Sequence, residues 1–274
     1  MLHGERAAGY EVIMAILIAI AERSLLAFGV LLLILQLLAH EAGYWLGGRQ
    51  KRKSDGHSEG AGVVVGGILG LLAFVLALTL SFASNRFNER RHGTLVEANA
   101  IGTAWLRAAA IGQPRGNEIA RLLEQYTQVR LDFVRTGDDP DQLAQLNQKT
   151  NTLQSAIWGH AAAIVQEYPG PVATWLASSL NDAFDAGTDE RFGFAIKLPS
   201  QIFWLLVGLS VLSMGVVGYQ LGIKGGTIRT MILLLTVVWT VIIVDILDLA
   251  AGRIGNFRTD PVAYEWACRA SRAA

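Results

Sequence analysis

The sequence predicts an all-α, polytopic membrane protein with four transmembrane helices and a helical aqueous domain inserted between spans two and three. Three observations carry this prediction. The 274-residue chain is 52% hydrophobic and only 17% charged, and its mean hydropathy is +0.36, high for a soluble domain. The apolar excess is gathered into runs near the roughly 20 residues that a bilayer core requires. Between the second and third runs the pattern becomes amphipathic with helical spacing.

Formal net charge is zero, which points to neither nucleic acid nor an acidic partner. The single cysteine, Cys268, excludes an intrachain disulfide framework and a cysteine-based metal site.

The N-terminal membrane part covers residues 1–84. Residues 12–21 are apolar but too short to cross, and Glu22-Arg23 interrupt them. With Glu5 and Arg6 ahead of the apolar stretch and no small-residue cleavage site, this reads as a lead-in to the first span and not as a cleaved signal. Span one covers about residues 24–47. Near its far end His40 and Glu41 are ionisable groups at membrane depth, candidates for function by default; the simpler reading has Glu41 snorkel or pair with Arg49. Gly43 and Gly47 form a GxxxG pattern beside Tyr44 and Trp45, a packing and anchoring feature. The linker at residues 48–60 holds Arg49, Lys51, Arg52 and Lys53 together.

Span two covers about residues 62–84. Gly62, Gly66, Gly70, Ala73, Ala77, Ser81 and Ser84 recur every three or four residues, which places them on one helical face. Such a face admits close backbone approach or leaves room for a path between helices. Gly66-Gly67-Ile68-Leu69-Gly70 lies inside an apolar span with no preceding strand, so it is no dinucleotide loop. Charge then appears without a proline to stop the helix, and Arg86 and Glu89 stand at helical pairing distance.

The helical aqueous domain covers residues 85–197. Gly112 to Gly116 reads as a turn. Residues 117–135 carry an apolar face through Ile119, Leu122, Leu123, Tyr126, Val129 and Phe133, with Asn117 as the cap. After Asp139-Pro140 a second helix runs over 141–167, and a third over 172–184, with a break expected at Asp185-Ala186-Gly187. The C-terminal membrane part, residues 198–249, holds span three at about 199–221 and span four at about 227–249, joined by a tight glycine-rich loop. Asp245 and Asp248 sit near the end of span four, and a polar tail covers 250–274. With four spans, both termini and the helical domain share one side. Asp245 and Asp248 are therefore expected near Arg86, Arg90 and Arg91, where carboxylates could pair with guanidiniums or serve ion binding or gating.

Catalytic signatures are missing: there is no GxSxG, no Walker A, and no ligand spacing among His3, His40, His57, His92 and His160. No catalytic residue, metal ligand or cofactor is expected, and the chain is not expected to be an enzyme.

The order of two spans, a helical domain and two more spans, with LGLLAFVLALTLSFASNRFNERR and VEANAIGTAWLR at the exit of span two, resembles the bacterial bestrophin-like domain family. The exit is also similar to that of bestrophins, with Arg86, Phe87, Glu89 and Arg91 in matching order and Asn88 in place of a second aromatic. The resemblance implies a homo-oligomer, a pentamer in bestrophins, that conducts small anions. Its pore would follow span two, with Gly70, Phe74, Ala77, Leu78 and Ser81 as lining and Arg86, Arg90 and Arg91 as a basic exit collar. The acidic calcium clasp of animal bestrophins has no counterpart that can be placed here.

The expected location is the bacterial inner membrane, multi-pass, with the lipid bilayer as an obligate partner. Basic residues in the short loops favour a cytoplasmic loop face and an extracytoplasmic helical domain, the reverse of the arrangement that the resemblance implies. A non-conducting scaffold or sensor, whose helical domain binds a protein or lipid, is the alternative to a channel.

Overall fold

The computed structural model describes residues 24–51, 59–112, 114–196, 199–226, 228–253 and 255–273. The lead-in at residues 12–21, Glu22-Arg23, and Arg52-Lys53 of the basic linker lie outside the described residues. The described residues form helices α1 (Leu25–Lys51), α2 (Glu59–Ile111), α3 (Pro114–Arg135), α4 (Pro140–Glu167), α5 (Pro171–Ala195), α6 (Ser200–Lys224), α7 (Arg229–Ala251) and α8 (Val262–Ala273), with no strand among them. Among the described residues four helical stretches are long and apolar enough to cross a membrane. The chain is an all-α, multi-pass membrane protein.

The chain divides into two compact units, Met1–Asn85 with Leu198–Ala251, and Arg86–Lys197 with Gly252–Ala274. The first contains α1, α6, α7 and the first part of α2, and is called the membrane unit below. Its core gathers Phe28, Leu32, Leu72, Leu76, Leu206, Met214, Ile243 and Ile246. Helices α1 and α6 pack through backbone. A Cβ at Gly43 would overlap the carbonyl of Gly215, one at Gly47 that of Tyr219, one at Gly218 that of His40 and one at Gly222 that of Tyr44. The GxxxG of span one therefore works as a packing seam, completed by glycines of α6 at the same spacing. In hydrocarbon, where lipid tails are as apolar as leucine, such close backbone approach supplies the dispersion contact that holds helices together. The chain leaves α6 through Gly225, whose φ of 74° is the left-handed cap that glycine adopts without strain. Glu41 forms no pair with Arg49 among the described contacts; the Arg49 guanidinium instead stacks 3.3 Å from the Trp45 ring centroid.

The second unit, called the helical unit below, holds the rest of α2 with α3, α4, α5 and α8. Its core includes Ile101, Ala104, Ile119, Leu123, Tyr126, Ile157, Leu176, Leu180 and Tyr264. Two sequence expectations are corrected here. Helix α3 starts at Pro114, not at an Asn117 cap: proline suits a first turn, whose N–H has no helical partner, and the Asn117 side chain donates back to Gly112 O at 3.5 Å. The break expected at residues 185–187 is absent, since α5 continues to Ala195. Gly187 is there for space, because a Cβ at that position would lie 2.5 Å from the Tyr126 hydroxyl and 2.8 Å from Glu97 Oε1. Helix α4 begins as expected after Asp139, whose carboxylate accepts from the backbone N–H of Asp141 and Gln142 at 3.0 and 3.2 Å. The C-terminal tail docks in this unit: Ala263 and Tyr264 of α8 join its core, and Arg135 pairs with Glu265.

Candidate functional site

In the membrane unit, the apolar half of α2 turns Val65, Leu72, Leu76, Thr79 and Ala83 inward, at intervals of seven, four, three and four residues. The opposite stripe, Gly70, Phe74, Ala77, Leu78 and Ser81, is exposed along its whole length. Phe74 is 64% and Leu78 46% exposed, and a Cβ added at Gly66, Gly67 or Gly70 would meet nothing within 4 Å. Of the small face predicted from spacing, Gly62 approaches the Gln220 side chain, whereas Gly66 and Gly70 meet nothing within 4 Å, unlike Gly43, Gly47, Gly218 and Gly222.

The arginines that follow are not equivalent. Arg86 is exposed and donates to Glu89 at 3.3 Å, as the sequence predicted. Arg91 is exposed, with its guanidinium 6.0 Å from the Phe87 ring centroid. Arg90, by contrast, is only 3% exposed and lies against Gly252, where a Cβ would come within 2.7 Å of its Nε. Burial lowers its pKa, and the nearby Glu190 carboxyl opposes that shift. Asp245 and Asp248 occupy the last turns of α7, half-buried and buried.

The helical unit also holds a charged network that the sequence reading missed. Glu97 of α2 and Arg130 of α3 form a fully buried two-pronged ion pair, with Arg130 Nε and Nη2 donating at 2.6 and 3.0 Å. Tyr264 of α8 donates to Glu97 Oε2, Tyr126 to Oε1 at 3.4 Å, and Gln154 of α4 to the Tyr126 hydroxyl at 3.3 Å. Arg130 also reaches Gly187 O of α5 at 3.3 Å. Burial alone would lower Arg130, but Glu97 outweighs it and holds the guanidinium above its ordinary range. Both tyrosines are pushed up, by burial first and by the Glu97 charge second. Nearby, Glu190 is 2% exposed with Oε1 unpartnered; burial, then repulsion from Glu97, raises it to about 8. Arg253 is lowered to about 10, chiefly by burial. It donates to the carbonyls of Phe133 and Thr136 at 2.8 and 3.0 Å and stacks on Phe133 and Phe194. Among the described residues no cluster of His, Cys, Asp or Glu could hold a metal ion.

This architecture defines a multi-pass membrane protein in which a helical unit is inserted after the second span. The chain belongs to the bestrophin-like family: the model of the Bestrophin-like domain matches residues 30–263. Its fold is similar to that of a bacterial bestrophin homolog from Klebsiella pneumoniae, with a TM-score of 0.59 at 13% identity over 90% of this chain and 96% of that one. A further crystal structure, described as that of a membrane protein, matches with the same TM-score and identity over 91% of this chain and 96% of that one. No curated protein matches.

Proposed function

We propose that the chain assembles with copies of itself, as a pentamer, into a channel for small anions whose pore is lined by the membrane half of α2. The observation that carries this reading is the uncovered stripe of Gly70, Phe74, Ala77, Leu78 and Ser81. A helix that buries one face and keeps small residues with a phenylalanine on the other suits the inner wall of a pore shared between subunits. Exposed Arg86 and Arg91 beyond the stripe supply positive potential that draws anions toward it. Family membership supports the same reading.

Purified protein in planar bilayers is expected to carry anion-selective current that changes when Phe74 or Arg86 is replaced. Assembled oligomers that stay electrically silent would refute the channel. Native mass measurement in detergent is expected to give five times the 29.6 kDa chain mass; a monomer would remove a shared pore. For orientation, Arg49 and Lys51 of the short linker favour an extracytoplasmic helical unit in the bacterial inner membrane. Alkaline phosphatase fused after Ala274 should then be active, and a fluorescent cytoplasmic reporter at the same point would reverse the assignment.

A scaffold or sensor is the second reading, favoured by one observation. The helical unit carries a groove of about 480 Å³ lined by Leu95, Trp105, Leu106, Trp266 and Ala267 among others, and Trp266 is largely exposed. Silent bilayers together with a saturable lipid or protein ligand for this groove would select it.

A further inference from the structure

Within the membrane unit, α1, α6 and α7 enclose polar side chains that neither packing nor the pore stripe uses. Gln36 and His40 lie one turn apart on α1, and both are buried. The amide Nε2 of Gln36 makes only a long contact of 3.4 Å to Ser210 Oγ of α6, while its Oε1 has no partner. Exchanging the amide oxygen and nitrogen would only move the deficit to the other atom. His40 Nε2 is likewise unpartnered, and its Nδ1 lies 3.9 Å from Glu41. On α7, Thr236 and Thr240 are buried one turn apart; Thr236 donates to the Ile232 carbonyl of the preceding turn, 2.7 Å away, and Thr240 Oγ1 has no partner.

Helix α7 runs antiparallel to α1, because a Cβ at Gly29 would touch Val244 and Thr240, whereas Arg229 and Ile228 line one cavity with His40, Glu41 and Tyr44. From Arg229 to Thr240 the polar positions therefore span about 16 Å of helix rise, roughly half a bilayer core. At the Arg229 end a cavity of about 10 Å³ opens beside His40, roughly the room that one water centre needs. At the other end Phe28 and Phe203 close the bundle, with ring centroids 5.4 Å apart. The charged groups facing His40 are Glu41 on α1 and Arg229 on α7; α6 offers none before Lys224. In hydrocarbon an unpartnered polar atom has no solvent to turn to, so three of them in one narrow bundle signal bridging molecules.

We propose that each chain holds bound water in its own α1–α6–α7 bundle, beside His40 and Gln36 and entered from the end bearing the short connections. The site is separate from any pore between subunits, and it stands whether or not the α2 stripe conducts. Its ligand is water, held by His40 Nε2, Gln36 Oε1 and the lone pairs of Ser210.

The test uses full-length protein with nitrogen-15 histidine rings in vesicles of phosphatidylethanolamine and phosphatidylglycerol, observed by water-edited solid-state NMR. H40Q assigns the His40 signal by its loss. His40 is expected to receive water polarisation nearly as fast as exposed His92, and I228W, which plugs the mouth, is expected to slow His40 about threefold while sparing His92. Wild-type build-up at His40 as slow as at buried leucine methyls would overturn the proposal on the unmodified protein alone. Fast build-up unaffected by a correctly folded I228W would overturn the entry route and with it the proposed site.

Discussion

The two units bury polarity in opposite ways. The helical unit buries full charges and surrounds them with donors: Glu97 accepts from Arg130, Tyr126 and Tyr264. Within its spans the membrane unit buries amide, imidazole and hydroxyl groups, keeps its buried carboxylate, Asp248, to the last turns of α7, and lets glycine backbones carry the packing between α1 and α6. The difference follows from what surrounds each. A carboxylate–guanidinium pair that is fully hydrogen-bonded is tolerable in a water-soluble core, while a charge at bilayer depth has no comparable refuge.

The contrast can be broken hardest at Glu97. Glu97→Ala leaves a buried guanidinium and two phenols without their acceptor, and should cost the helical unit about 3–5 kcal/mol in denaturant unfolding. Glu97→Leu combined with Arg130→Met should recover most of that loss; if it does not, the ion pair is more than a compensated burial. Glu190 gives a pH test. Its folded pKa, about 8, exceeds the ordinary carboxylate value, so the folded state holds the proton more tightly than the unfolded one. The stability tied to it is therefore complete at acid pH and is lost as pH rises through about 8, by up to a few kcal/mol. Glu190→Gln should flatten that slope between pH 5 and 8 in thermal melts, on the order of the whole effect.

In the membrane unit, Gly218→Val forces α1 and α6 apart and should cost about 2–3 kcal/mol in detergent unfolding. Gly70→Ala, where a Cβ meets nothing within 4 Å, should stay within about 0.5 kcal/mol. An equal loss at both glycines would mean that the stripe of α2 is covered within the chain after all. The smallest stability effect is expected for Arg86→Gln, whose exposed pair with Glu89 is worth about 0–1 kcal/mol; its visible consequence should be in current selectivity.

Much of this was legible in the sequence. The spans followed from run length, and the inserted helices from the apolar face of α3. The seam at Gly43 and Gly47 was readable from spacing, but its partners Gly218 and Gly222 lie far along the chain. The Glu97 network was hidden for the same reason: Glu97 and Arg130 are 33 positions apart, and Glu97 and Tyr264 are 167 apart. One signal was present. Arg130 stands four residues after Tyr126 and three before Phe133, on the apolar face of α3, where a solvated arginine would not sit. Gly187 misled because glycine inside a helical pattern suggests a break, whereas here it makes room for a phenol and a carboxylate.

That missing side chain has a genetic consequence. In Gly187→Ala the new methyl would stand 2.5 Å from the Tyr126 hydroxyl and 2.8 Å from a Glu97 oxygen, so selection for restored expression should return second-site suppressors at these positions. Tyr126→Phe, which removes the offending oxygen and keeps the ring, is the first expected. Position 187 thus limits what positions 126 and 97 can be, and residues on three separate helices are inherited as one unit.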